Sequence, residues 1–156
     1  MPRKGEAPKR PVSPDPIFGS EVVTRFVNKI LRGGKKSTAE GIFYGALCDI
    51  AEVTGGNPLE TVQQAVRNTM PQVEVRPRRV GGANLQVPVE VSARRQITLG
   101  VRWIVDAARK RNERTMRQRV GKELMDAANR EGAAYKRREE VYRMAEANRA
   151  YSHYRW

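Results

Sequence analysis

Residues 72–92 read QVEVRPRRVGGANLQVPVEVS, and this stretch decides the architecture. Val73 and Val75 alternate with Gln72, Glu74 and Arg76. Beyond Gly81-Gly82-Ala83-Asn84, the residues Leu85, Val87, Val89 and Val91 alternate with Gln86, Pro88, Glu90 and Ser92. A period of two with a glycine-rich reversal predicts a β-hairpin at about 72–91. Pro77 and Pro88 cannot donate to a ladder, so both must face outward on edges, as a two-stranded ribbon allows. A ribbon of this size is only marginally stable alone. It must therefore be rooted in a body made by the rest of the chain.

That body reads as helical on both sides of the hairpin. From Ser20, the residues Val23, Phe26, Val27, Ile30 and Leu31 mark one helical face that ends at Gly33-Gly34. Ser37 or Thr38 is placed to cap a second helix with Ile42, Phe43, Ala46, Leu47, Ile50 and Ala51 inward, stopped by Gly55-Gly56. Cys48, beside Leu47, is expected on its core side. Asn57, Pro58 and Glu60 form a start signal for a third, which carries Leu59, Val62, Val66 and Met70 as far as Pro71. Ser92 opens a fourth, running to about Arg111 with Ile97, Val101, Ile104, Val105 and Ala108 on one face. A fifth runs from about Thr115 with Met116, Val120, Leu124 and Ala128, and stops near Gly132. The sixth, about 134–148, is mostly polar; its thin stripe of Val141, Met144 and Ala145 predicts weak packing. The expected fold is thus mainly α: a six-helix domain over 20–148 with one protruding two-stranded β-hairpin. A basic, proline-rich N-terminal extension (1–19) and an aromatic and basic tail (149–156) flank it.

The composition narrows the function. The 156 residues carry a net charge of +13, beyond what solubility requires, so a polyanionic partner is expected. One cysteine and one histidine exclude disulfide scaffolds and the usual zinc sets, and no metal or cofactor is expected. No apolar run is long enough to span a membrane, and the proline-rich start does not resemble a signal or transit peptide. These features predict a soluble, cytoplasmic protein without a membrane or small-molecule partner. The charge is unevenly spread. Residues 21–36 hold five bases against one acid, 37–71 one against four, and 94–122 ten against two.

The candidate contacts follow from that distribution. Arg3, Lys4, Lys9 and Arg10 lie in the extension. Arg32, Lys35 and Lys36 surround Gly33-Gly34 in a loop that superficially resembles a nucleotide-binding loop. Its spacing is wrong, and no strand precedes it, so phosphate contact without nucleotide specificity is the better reading. Arg95, Arg102 and Arg109 recur every seven residues, within about 40° of one another, and make a helical ridge about 21 Å long. Lys110, Arg111, Arg114, Arg117, Arg119 and Lys122 extend the basic character onto the fifth helix. Arg76, Arg78 and Arg79 place guanidinium groups near the hairpin tip, where they can meet phosphates or stack on bases. Tyr151, Arg155 and Trp156 alternate aromatic and cationic groups in the tail, suited either to stacking or to packing on the body. His153 has no nucleophile placed beside it, and the acids are scattered, so no enzyme is expected. A DNA-architectural protein with a basic β-arm remains the alternative to an RNA binder.

The segment VRPRRVGGANLQVP over 75–88 resembles the hairpin of the small-subunit ribosomal protein seven family, bacterial type. Gly34-Lys35-Lys36 with Ile42-Phe43-Tyr44, Leu124-Met125-Asp126-Ala127-Ala128, and the run from Met144 through Arg149 to His153-Tyr154-Arg155-Trp156 match in order. Leu85 stands where the family pattern has an aromatic, and Pro77 where it has a small polar residue. The resemblance implies a structural, primary binder of small-subunit ribosomal RNA that docks on the 3′ major domain and nucleates assembly of the head. It further implies that Arg78, Arg79, Gly81, Gly82 and Asn84 reach toward exit-site tRNA and the messenger path. Tyr151, Arg155 and Trp156 would lie near neighbouring proteins of the head and platform and near the messenger exit.

Overall fold

The computed structural model describes Gly5 and residues 11–154. The described residues form six α-helices: α1 (Glu21–Ile30), α2 (Lys36–Thr54), α3 (Pro58–Thr69), α4 (Ala93–Lys110), α5 (Met116–Ala128) and α6 (Gly132–Ala147). One antiparallel pair, β1 (Val73–Val80) and β2 (Ala83–Glu90), separates α3 from α4, and a short 3-10 helix, Arg149–Tyr154, ends the described chain. The predicted mainly helical domain with a single hairpin is the observed architecture. Arg3, Lys4, Lys9, Arg10, Arg155 and Trp156 lie outside the described residues.

The core is built where the helical stripes meet. Phe26 of α1 stacks on Phe43 of α2 with ring centroids 5.0 Å apart, and Ile50, Val62, Ile104 and Leu124 close around them, all buried. The α3 start works as read, since the Asn57 side chain accepts from the Leu59 N–H at 3.0 Å. Thr115 and Gln118 form a full capping box on α5. The α2 start differs. Lys35 is the N-cap, and Ser37 and Thr38 fall inside the first turn without capping bonds. Cys48 is exposed. It sits one residue past Leu47 and shares its face with Tyr44 and Glu52, so a 100° step takes it out of the core.

The hairpin turn is tighter than the four residues expected. Ala83 and Asn84 already belong to β2, opposite Val80 and Arg79, which leaves Gly81 and Gly82 as the loop. Both take positive φ, 55° and 88°, the combination that matches the twist of a two-residue hairpin and that favours glycine. Pro77 pairs with Gln86 and Pro88 with Val75. Counting outward from the turn, both prolines fall in pairs that exchange no ladder bonds, so neither breaks the ribbon.

The root of the hairpin is held from two sides. Glu74 and the fully buried Val87 lie on the face toward α4, while Val73, Pro88 and Glu90 border a hollow shared with Tyr142 of α6 and Arg149 and Ser152 of the 3-10 helix. Gln72 N–H donates to the Tyr142 hydroxyl at 3.0 Å, and Val91 N–H to the Gln72 carbonyl at 2.9 Å. The weak packing expected of α6 is therefore corrected. Its apolar stripe is as thin as read, and Met144 is 42% exposed, but polar ties replace it. Arg138 donates to the Asn68 carbonyl with its guanidinium over the rings of Tyr135 and Tyr142, at 5.5 and 5.2 Å.

Candidate nucleic-acid interface

Four of the cations singled out from sequence converge from three separated segments. Arg32 and Lys35 of the α1–α2 loop, Arg109 at the end of α4 and Arg119 on α5 line one groove of about 390 Å³. Its apolar floor includes Ile30, Ile42 and Met116. Two of the four are oriented internally. Arg109 donates to the Lys29 carbonyl at 2.9 Å and lies 3.5 Å from Asp106, and Arg119 Nε donates to the Glu113 carbonyl at 2.6 Å. Arg32 and Lys35 are exposed, and their side chains have no protein partner among the described residues. The loop offers these side chains rather than its own amides, because the N–H groups of Lys35 and Lys36 bond to the carbonyls of Arg32 and Gly34. Lys36 points to Glu40, at 3.2 Å.

A second groove of about 250 Å³ lies between α1 and α4, lined by Arg25, Asn28, Lys29, Thr98, Val101 and Arg102. Arg102 is exposed and unpaired among the described residues, whereas Arg25 lies 3.5 Å from Glu21 and Lys29 3.9 Å from Asp106. Arg25 and Lys29 were not singled out from sequence. Their signal was present as two bases four apart on the polar side of α1, facing the same way as the α4 arginines.

The ridge on α4 is divided by its partners. Only Arg102 stands free; Arg109 belongs to the first groove, and Arg95 Nε donates to Glu74 at 2.8 Å. Glu74 also accepts from Arg76, so one buried carboxylate ties the hairpin root to α4. Burial works against its charge, but the bonds from Arg95 and Arg76 outweigh it and hold its carboxyl below the ordinary value. Near the tip, Arg79 is exposed and unpaired among the described residues, and Arg78 is half-buried beside Leu85, its cross-strand partner.

Arg111 is placed differently from its neighbours. Its Nη1 donates to the buried Glu123 at 2.7 Å and to Asp126 at 2.6 Å, while its Nε reaches Glu113 at 3.2 Å. Glu123 in turn accepts from the N–H of Ala134 at 2.9 Å, which fixes the start of α6. Partial burial opposes the charge of Arg111, but Asp126, Glu123 and Glu113 outweigh it and raise its pKa. This guanidinium joins α4, α5 and α6 and lines neither of the two grooves. Arg117 is likewise held, donating through both Nε and Nη2 to Asp49. Lys110, the last residue of α4, and Arg114, on the α4–α5 loop, remain exposed. In the tail, Tyr151 is 38% exposed, and His153 lies ring to ring with Tyr154 at 3.9 Å.

Among the described residues, no group of three or more His, Cys, Asp or Glu side chains is placed to hold a metal. No helix is long and apolar enough to cross a membrane. The pattern describing ribosomal protein S7p/S5e matches residues 2–149. The chain belongs to the S7p/S5e family. It is 58% identical over 156 residues to the small ribosomal subunit protein uS7 of Bradyrhizobium diazoefficiens, 55% to that of Streptococcus mutans and 56% to that of Carboxydothermus hydrogenoformans. Each of these alignments covers 100% of both chains. S7p/S5e proteins are structural ribosomal proteins, not enzymes.

Proposed function

We propose that this chain is a ribosomal-RNA-binding structural protein of the small ribosomal subunit, working in the cytoplasm within the ribosome. It docks on the 3′ major domain of the small-subunit RNA and nucleates assembly of the head. The observation that carries this reading is the convergence of Arg32, Lys35, Arg109 and Arg119 on one groove from segments far apart in the chain. The second groove, with Arg25, Lys29 and Arg102, shares Lys29 and Asp106 contacts with it through α1 and α4. Two cation-lined grooves fed by α1, α4, α5 and the α1–α2 loop suit a folded RNA better than a single straight duplex. The N-terminal bases Arg3, Lys4, Lys9 and Arg10 add to the same contact.

The hairpin and the tail carry the finer assignment. Arg78, Arg79, Gly81, Gly82 and Asn84 reach toward exit-site tRNA and the messenger path, and the 3-10 helix with Tyr151 faces neighbouring proteins of the head and platform. Family membership supports this reading, as does a hairpin whose root is held while its tip is exposed.

Titration of the protein with a 3′ major domain transcript, in competition with bent duplex DNA, tests it. The expected result is a clear preference for the transcript with a steep salt dependence. Equal affinity for the two would favour the DNA-architectural reading instead.

A further inference from the structure

At the root of the hairpin one carboxylate serves two guanidinium groups. Glu74 is 8% exposed; its Oε1 accepts from Nε and Nη2 of Arg76, two positions along β1, and its Oε2 accepts from Arg95 Nε of α4 at 2.8 Å. The carboxylate is enclosed, yet the side chains that grip it are 47% and 49% exposed. Nη1 of Arg76 and both Nη groups of Arg95 have no partner among the described residues. The balance is the reverse of the one at Arg111, where three carboxylates share a single guanidinium. Here one negative charge faces two positive ones, so the guanidinium groups repel each other, and a second anion on their outer side would relieve that repulsion. The ribbon has other fastenings: Val87 is fully buried at the root, and Gln72 donates to the Tyr142 hydroxyl and accepts from the Val91 N–H.

We infer that Glu74 is a positioning residue that sets Arg76 of the hairpin and Arg95 of α4 as one fork for a phosphodiester group of the RNA backbone. This rests on the RNA-binding reading above. A guanidinium anchored through Nε has its plane fixed and directs its remaining donors away from the anchor, the geometry in which arginine binds phosphate oxygens in pairs. Two such groups held by one carboxylate need little further ordering when the phosphate arrives, whereas free arginine side chains would each lose rotamer freedom on binding. Glu74 itself is enclosed and touches no RNA. Removing this acid makes the surface more positive, which by charge alone would strengthen RNA binding. Because it also frees both arginines, binding weakens instead.

The test compares variants of the full-length chain against the 3′ major domain transcript. Glu74→Met keeps the length of the side chain and removes both acceptors; the half-exposed arginines can then hydrate, and the other fastenings of the root remain. It is expected to weaken binding by about three- to tenfold, the cost of ordering two free arginine side chains. Unchanged or tighter binding overturns the inference, because Glu74 would then only neutralise charge. Arg76→Lys and Arg95→Lys keep a cation able to pair with Glu74 but lose the fork. Each should weaken binding by about threefold or more, and the two together by less than the product of the single effects. Parent affinity in the lysine variants would reduce Glu74 to a structural tie, and effects that multiply would mean two separate contacts; either overturns the shared fork. A measurement without RNA decides the positioning separately. By NMR, the Nε–H signals of Arg76 and Arg95, each assigned by its lysine variant, should exchange slowly with water in the parent and faster in Glu74→Met. Equal exchange overturns the positioning even if RNA binding is confirmed, and failure of the parent to bind the transcript would sink the RNA reading while these signals still report on Glu74.

Discussion

Arg32 and Arg111 flank helix ends in stretches equally rich in bases, yet the fold gives them opposite work. Around Arg32, a groove gathers cations from three segments and leaves two of those cations without partners among the described residues. Around Arg111, three carboxylates close on one guanidinium and leave it only 23% exposed. The first arrangement keeps charge available to a polyanion. The second uses charge to join helices, at the cost of desolvating an ion pair that must then stay intact. Net charge cannot distinguish the two, because the acids that capture Arg111 come from positions 113, 123 and 126 and meet only after α5 folds back.

The sharpest way to break this comparison is to remove Arg111. Arg111→Met would leave the Glu123 carboxylate buried without its cation, and losing one partner of a buried pair costs about 3 kcal/mol. For a domain of this size the melting temperature should fall by roughly 6–12 °C. Differential scanning calorimetry would show it, and a loss under about 2 °C would place Arg111 with the available cations instead. At a temperature where the variant is folded, the salt dependence of its RNA affinity should match the parent's.

The opposite signature is expected at the groove. The double variant Arg32→Ala, Lys35→Ala should leave the melting temperature within about 1 °C, since neither side chain has a partner among the described residues. The slope of log affinity against log salt should become shallower by roughly 1.4–1.8, from two lost phosphate contacts. Salt titrations of transcript binding would measure this. An unchanged slope would remove the groove from the interface.

Much of the frame was legible because it rests on local rules. The switch from a 3.6-residue period to a period of two at Val73, the Asn57-Pro58-Glu60 start and the beginning of α5 near Thr115 all act over a few residues, and all appear in the structure. What escaped depends on distant partners. The burial of Asp15 needs Tyr44, 29 residues away; the fastening of α6 needs Asn68 and Gln72, about 70 residues before it. The convergence of Arg32 and Lys35 with Arg119 depends on how α2 crosses α5. The i, i+7 spacing placed Arg95, Arg102 and Arg109 on one helical face, but it could not show that Glu74 would occupy the first of them.

Acid titration offers a smaller effect on the structural side of the comparison. Glu74 is held below its ordinary pKa in the fold: burial resists the charge, and its arginine partners more than compensate. Asp15 is likewise lowered, with burial opposing and Tyr44, the Phe18 and Ile17 amides and Lys36 prevailing. A depressed carboxyl favours the native state above its unfolded pKa, 4.5 for Glu74 and 3.8 for Asp15, and that contribution disappears as pH falls through the lower folded value. Stability should therefore be flat above about pH 5 and decline below it. Denaturant unfolding of Glu74→Gln should show a shallower acid decline than the parent. A parallel decline would mean that Glu74 does not stabilise the hairpin root as an anion.

The least costly change tests whether an exposed pair belongs with Arg111 or with Arg32. Arg117 holds Asp49 through two hydrogen bonds, but its side chain is 47% exposed, so water and salt screen the pair. Asp49→Asn should move the melting temperature by no more than about 2 °C. It also frees a guanidinium on α5, whose Arg119 lines the groove. If Arg117 faces RNA, releasing it adds one phosphate contact, and the salt slope should steepen by about 0.7–0.9. If its work is to join α5 to α2, the slope should stay as it was. The packing favours the second outcome: the Arg117 stem lies so close to Gly45 of α2 that a Cβ added there would meet its Cδ at 2.7 Å, so the side chain is laid along the helix surface before Asp49 binds its tip.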